Sequence, residues 1–169
     1  RFLRENLTGY TVRDEYRLKG MITYRPGFNP KNRRVPQLRP DYMVFRDGRV
    51  AAILDAKYRD LWEHPLPREM LYQLTVYALS QEAGIPAAIL YPTVDAAAKE
   101  AVMDINDPAF GRSRARLYLR PVNLLYLSEL ITGRSYREQK AGQAYARQLA
   151  LGEPAAIALY EGFSGGSGV

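Results

Sequence analysis

The sequence has no cysteine and one histidine, His64. The first absence removes a disulfide scaffold, a thiolate-held zinc or iron–sulfur centre and a cysteine nucleophile. The second removes a His-rich metal site and any scheme that needs two imidazoles. No apolar run approaches the roughly 20 residues that a bilayer span needs, and no signal-peptide core is visible. No segment repeats with the period of a solenoid. The 169 residues amount to about one domain, long enough to bury a core without covalent staples. The expectation is a soluble, cytoplasmic protein that spans no membrane.

Charge is present and unevenly spread. Lys and Arg number 24 against 18 Asp and Glu, a net of +6. Residues 1–49 carry 12 basic and 5 acidic side chains, and residues 50–169 carry 12 and 13. Nineteen of the 24 cations are arginines, which suit bidentate contact with phosphate. A basic surface alone is compatible with plain solubility.

The pattern along the chain is mixed α/β, in the order β-β-β-α-β-β-α-α, with a possible helix before it. Strands are expected at Tyr16–Tyr24, Leu38–Arg46 and Val50–Tyr58, the last two joined through Asp47-Gly48, a turn signal. Pro65 and Pro67 open a helix over about Arg68–Ala83, with Met70, Leu71, Leu74, Tyr77 and Ala78 as its apolar stripe. Ala87–Tyr91 reads as a short strand, and a polar irregular stretch follows to about Arg114. Arg116–Val122 reads as a strand, and Leu124–Thr132 and Tyr136–Leu151 read as helices. This describes a central mixed β-sheet flanked by helices. The chain starts at Arg1 without methionine, which suggests the C-terminal part of a longer protein. Residues 1–163 are expected to form the domain, with 164–169 a flexible Gly/Ser tail.

The third strand holds an anomaly. The apolar run Val50–Leu54 continues as Asp55-Ala56-Lys57. Residues 55 and 57 share a face, and both are costly at the end of a buried strand unless paired or used. The second strand supplies another carboxylate, Asp41. A two-residue turn at 47–48 sets Asp41 opposite Leu54, whereas an odd loop or one bulge lets it oppose Asp55 or its neighbour at 53. A three-residue turn with Gly48 as its left-handed residue and a bulge would place the two carboxylates together. Converging carboxylates repel each other, and a hard divalent cation such as Mg²⁺ relieves the repulsion. Taken singly, these residues also fit blander roles. Asp55 and Lys57 suit a strand-end ion pair, Asp41 a turn, Gln73 an exposed helix face and Tyr77 a core.

Pro40-Asp41 followed by Asp55-Ala56-Lys57 resembles the PD-(D/E)XK nuclease motif, and Gln73 and Tyr77 on the next helix resemble the QxxxY motif of its RecB-like branch. The wording Leu38-Arg39-Pro40-Asp41 and Leu54-Asp55-Ala56-Lys57-Tyr58 is most similar to the nuclease domains of McrC-like, modification-dependent restriction subunits. The resemblance covers roughly residues 16–92. It implies a restriction-endonuclease-like fold and a Mg²⁺-dependent endodeoxyribonuclease, with Mn²⁺ as a substitute. It also implies that Asp41, Asp55 and the Ala56 carbonyl ligate the metal. Lys57 would activate or position water, Gln73 would hold Lys57, the substrate or a water, and Tyr77 would support that shell. A further acidic residue on an early helix is common in the family, and Glu5 is the candidate. The resemblance further implies a prokaryotic cytoplasm, a GTP-hydrolysing AAA+ partner of the full-length protein, and dimerisation to cut both strands.

Lys31, Arg33, Arg34 and Arg39 would contact DNA phosphates near the catalytic end, with Arg25 beside them and Tyr24 and Phe28 available for stacking. Arg112, Arg114, Arg116 and Arg120 would extend the track. His64, Asp60 and Glu63 read as solvated surface. The rival readings are an inactive nuclease-fold module that binds DNA or a partner, and a nuclease of repair or mobile-element function. The intact Asp41, Asp55 and Lys57 argue against the first. The sequence does not separate the second from restriction.

Overall fold

The computed structural model of the protein describes residues 1–82, 84–133 and 135–152. The expected tail at 164–169 and the domain limit at 163 lie outside them. Among the described residues the elements run α1 (Phe2–Asn6), β1 (Thr11–Asp14), β2 (Tyr42–Arg46), β3 (Arg49–Ala56), α2 (Arg68–Leu79), β4 (Ala87–Thr93), β5 (Ala101–Asn106), β6 (Ser113–Asn123), α3 (Leu124–Thr132) and α4 (Tyr136–Leu151).

The strands form one mixed sheet in the order β1-β2-β3-β4-β6-β5. β4 runs parallel to both its neighbours, β3 and β6, while the β1–β2, β2–β3 and β5–β6 pairs are antiparallel. The centre is the most apolar part. Ala52, Ile53 and Leu54 of β3 and Ala87, Ala88 and Ile89 of β4 are fully buried, as strands covered on both faces must be. Burying each Ile or Leu side chain there contributes about 1.5–3 kcal/mol.

Alternation along the strands sorts the side chains into two layers. Val44, Ala52, Leu54, Ala88 and Leu90 pack with Leu3 and Leu7 at the N-terminal end and with Tyr145, Ala146 and Leu149 of α4. Met43, Ile53, Ile89 and Leu117 pack with Leu74, Tyr77 and Ala78 of α2 on the other face. The chain is therefore α/β, a mixed sheet with helices on both sides.

One expected strand is absent, and one strand forms where none is expected. No strand forms over Tyr16–Tyr24. The first strand is instead the short edge strand β1, which ends where Glu15 turns to a positive φ of 48°; further on Gly20 adopts φ 75°. β5 lies inside the stretch expected to be irregular. It is an edge strand whose faces are mostly exposed, so only Met103 and Ile105 join the core. At Asp47-Gly48 the structure combines the two-residue turn with one bulge, and the three-residue turn does not form. Both turn residues are at positive φ, 50° and 77°, and Arg46 pairs with Arg49 across the turn. The bulge lies within β3, because Phe45 pairs with Val50 and Val44 with Ala52, leaving Ala51 as the extra residue. α2 stops at Leu79, short of the expected Ala83. Ser80 closes it, its hydroxyl donating to the Tyr77 carbonyl at 2.6 Å.

Candidate active site

The bulge decides the phase of everything beyond it. With Tyr42 paired to Leu54, the next position along sets Asp41 opposite Asp55, on the face covered by α2. Asp41 lies just outside β2, where the backbone ladder has ended. Its carboxylate takes over one rung, accepting the Ala56 N–H at 2.7 Å. Its carbonyl in turn accepts the Glu15 N–H at 2.9 Å. The second strand, the third strand and the segment after β1 are thus tied together through one aspartate.

Asp55 is 4% exposed. Its carboxylate contacts the Lys57 ammonium, one step further along the same face. The Lys57 backbone is itself anchored, its N–H donating to the Leu90 carbonyl of β4 at 2.9 Å. Burial raises the Asp55 pKa above its ordinary 3.8. Lys57 opposes that rise, and Asp41 adds to it both as a nearby charge and as a hydrogen-bonding neighbour. The two carboxylates therefore share one locality, and their mutual repulsion is only partly offset by one lysine.

α2 lays its inner face over this point. Gln73 donates to the Tyr77 hydroxyl at 2.8 Å, the i,i+4 contact that one helical face provides. The Tyr77 ring is fully buried, and its hydroxyl also meets the main chain of Arg39. Burial raises its pKa, and the charges of Asp55 and Asp41 add to the rise, so the hydroxyl lies within electrostatic reach of the carboxylate pair. Tyr77 is both a core residue and a polar neighbour of the site.

A cleft of about 550 Å³ opens beside Lys57, lined by Asp14, Glu15, Asp41, Tyr42, Ala56, Lys57 and Tyr58. The structure brings Asp41, Asp55, Ala56 and Lys57 together, with Tyr77 within electrostatic reach of the two aspartates and Gln73 bonded to Tyr77. It also adds residues that sequence reasoning missed. Asp14 and Glu15 belong to the cleft because β1 pairs with β2, Asp14 lying opposite Tyr42. The signal for them was the short alternating Thr11–Asp14 run. Asp14 is paired with Arg4, and Glu15 with Arg39. Glu5 does not line the cleft and pairs with Arg1 at 2.9 Å.

The expected basic surfaces fare differently. Lys31, Arg33 and Arg34 lie on an exposed loop, where the Asn29 side chain holds the Arg33 main chain through two 2.9 Å hydrogen bonds. Arg39 stands nearest the cleft, through Glu15. The second group is not an open track. Arg114 pairs with Asp107 and Arg116 with Asp104. Arg120 is buried, where it pairs with Glu100 and donates to the Leu149 and Ala150 carbonyls at 3.0 Å each. These arginines fasten β6 to its neighbours.

The donor set fits a hard cation. Two carboxylates and a main-chain carbonyl at a strand end offer oxygen only, which suits Mg²⁺ with water filling the remaining positions. No group of three or more His, Asp and Glu side chains placed to hold a metal ion occurs among the described residues.

No family model matches the chain, and no curated protein matches it. Among solved structures, a chain of a refined half-complex from the tetradecameric assembly of Thermococcus gammatolerans McrB AAA+ hexamers with bound McrC is similar to this one. The identity is 20% and the TM-score 0.48, and the match covers 84% of this chain and 29% of that chain. The present chain thus spans less than a third of that chain's length. No described helix is long and apolar enough to cross a membrane.

Proposed function

We propose that this chain is a Mg²⁺-dependent DNA endonuclease domain of the restriction-endonuclease-like fold, the cutting module of a McrBC-type, modification-dependent restriction system. One observation carries the reading: Asp41, Asp55 and Lys57 converge at the end of β3 while Tyr77 of α2, hydrogen-bonded to Gln73, lies within electrostatic reach of both aspartates. The order and spacing of these residues resemble the PD-(D/E)XK and QxxxY motifs, drawn from three elements.

Asp41, Asp55 and the Ala56 carbonyl would hold Mg²⁺, which supplies Lewis acidity toward a phosphate and a lower pKa for an attacking water. Mn²⁺ would substitute. Lys57 would orient that water and offset the negative charge that grows on the phosphate oxygens. Its ammonium is confined by Asp55 and its backbone by β4, so it is aimed before substrate arrives. Gln73 would hold the Lys57 end of the site or the substrate backbone, and Tyr77 fixes Gln73. The water oxygen bonds to phosphorus in line with the departing 3′ oxygen, leaving a 5′-phosphate. Arg39 at the cleft and the loop with Lys31, Arg33 and Arg34 would meet flanking phosphates.

The restriction context rests on the residue wording around Asp41 and Asp55. In that context target recognition lies on other domains, an AAA+ GTPase partners the full-length protein, and two copies cut the two strands.

The test is nicking of supercoiled plasmid by this chain with Mg²⁺, with EDTA and as Lys57→Ala. Nicking that needs the metal and is lost in the variant is expected. Cutting in EDTA, or full activity in Lys57→Ala, overturns the reading.

A further inference from the structure

Tyr58 follows Lys57 directly and has a relative exposure of 103%. A ring that exposed packs against nothing in the fold. Single exposed tyrosines are ordinary on protein surfaces. Tyr72 on α2 is another, but it does not line the cleft. Tyr58 differs in position. It stands at the rim of the 550 Å³ cleft, with Asp41, Tyr42 and Lys57 as fellow lining residues. It is also close enough to Tyr42 to act on that hydroxyl electrostatically.

Geometry then restricts what the ring can meet. Neighbouring Cα atoms lie about 3.8 Å apart, so a phosphate addressed by Lys57 brings its own nucleosides within reach of Tyr58. The sugars are bonded directly to that phosphate, and each carries a base. Both present an apolar face of the kind that aromatic side chains cover in bound nucleic acid strands. The acidic rim carboxylates Asp14 and Glu15 are already engaged by Arg4 and Arg39, and of the two aromatic rings that line the cleft, Tyr42 is part-buried whereas Tyr58 is fully exposed.

We infer that Tyr58 is a substrate-positioning residue, its ring packing against the nucleoside bonded to the scissile phosphate and holding that phosphate over Lys57. The inference rests on the nuclease reading and deepens it. The fold makes no use of the ring, so its removal leaves the protein intact.

The test compares the parent chain with Tyr58→Ala, Tyr58→Phe and Tyr72→Ala. Steady-state cleavage of a labelled DNA duplex in Mg²⁺ is measured first. Equilibrium binding of the same duplex follows, with Lys57→Ala added to each protein to prevent cutting. Tyr58→Ala is expected to raise KM about tenfold, within the roughly 5- to 100-fold that one stacking contact is worth. It should weaken binding by a similar factor and leave kcat within about twofold. Tyr58→Phe should restore most of the loss, since packing needs the ring and not the hydroxyl. Tyr72→Ala should match the parent. A duplex with an abasic site beside the cut separates the two faces. A parent protein that loses affinity for it stacks on the base, and one that does not packs on the sugar. Unchanged KM and binding in Tyr58→Ala, or an equal loss in Tyr58→Phe, overturns the inference while the nuclease reading stands. A parent protein that neither binds nor cuts the duplex overturns the reading itself, and the inference with it.

Discussion

Asp41 accepts the backbone N–H of Ala56 at 2.7 Å, across the point where β2 has already ended. One side chain thus does the work of a missing ladder rung while standing beside the Asp55 carboxylate. This double duty explains how the two carboxylates are held close. The first is held by the main chain and the second by Lys57.

The two aspartates should therefore respond differently to amidation. Asp41→Asn and Asp55→Asn should each lower Mg²⁺-dependent cleavage about 100-fold or more, the scale of removing a group that stabilises transition-state charge. Asp55→Asn relieves a buried carboxylate and should melt at or above the parent temperature at neutral pH. Asp41→Asn keeps the Ala56 bond through its carbonyl oxygen and should change stability by less than about 1 kcal/mol. Calorimetry and plasmid nicking on the same preparations check both.

The acid range should carry the signature of Asp55. Burial lifts its folded pKa above 3.8, so the folded protein keeps this proton to higher pH than the unfolded chain. The stability from this group is present in full below about 3.8 and is lost as the pH rises through the raised folded value. Asp55→Asn should flatten that part of the melting-temperature profile. Cleavage has the opposite dependence, because the proposed ligand must be ionised. Its acid limb should lie above the ordinary carboxylate range and move downward as Mg²⁺ is raised, since metal and proton compete for the same oxygens.

Tyr77→Phe separates packing from positioning. The ring stays buried, while Gln73 and the Arg39 main chain lose their common partner. A stability loss of about 1 kcal/mol is expected, with kcat reduced about tenfold or more and KM little changed. Unchanged kcat would make Tyr77 a core residue only.

Arg120 carries the largest predicted stability effect outside the site. It is 2% exposed, and it joins Glu100 to the last carbonyls of α4. Arg120→Met strands Glu100 and two carbonyls and should cost about 3–5 kcal/mol. Gly152→Ala, at φ 74°, would put a methyl 2.5 Å from the Arg120 Nη2 and should destabilise through the same junction. Chemical denaturation reads both.

Much of this was legible in the residues. The apolar run of β3, the apolar stripe of α2 and the Gly152 stop of α4 are signals that local chemistry sets by itself. β1 and β5 were not legible, because edge strands bury little and their sequences look like loops. The glycine and the aspartate at 47–48 predicted a turn, but not the extra residue four positions on. Ala51 has no property that marks a bulge, since the registry of a hairpin depends on both strands at once. The acidic pair Asp14-Glu15 was hidden for the same reason. Its place in the cleft follows from which strand β1 joins, not from the pair itself. The arginines of β6 looked like a track because alternation sets their face but says nothing about the carboxylates on and beside β5.

The bulge at Ala51 also makes the hairpin an instrument of parity. A protein chain can shorten or lengthen a loop with modest penalty, yet here pairing the same residues without the bulge would set Asp41 opposite Leu54 and hand Asp55 and Lys57 to the layer of α4. The strand would still pair and the turn would still close. Only the chemistry would face the wrong way, so the site is tied to an odd-and-even count as firmly as to any side chain within it.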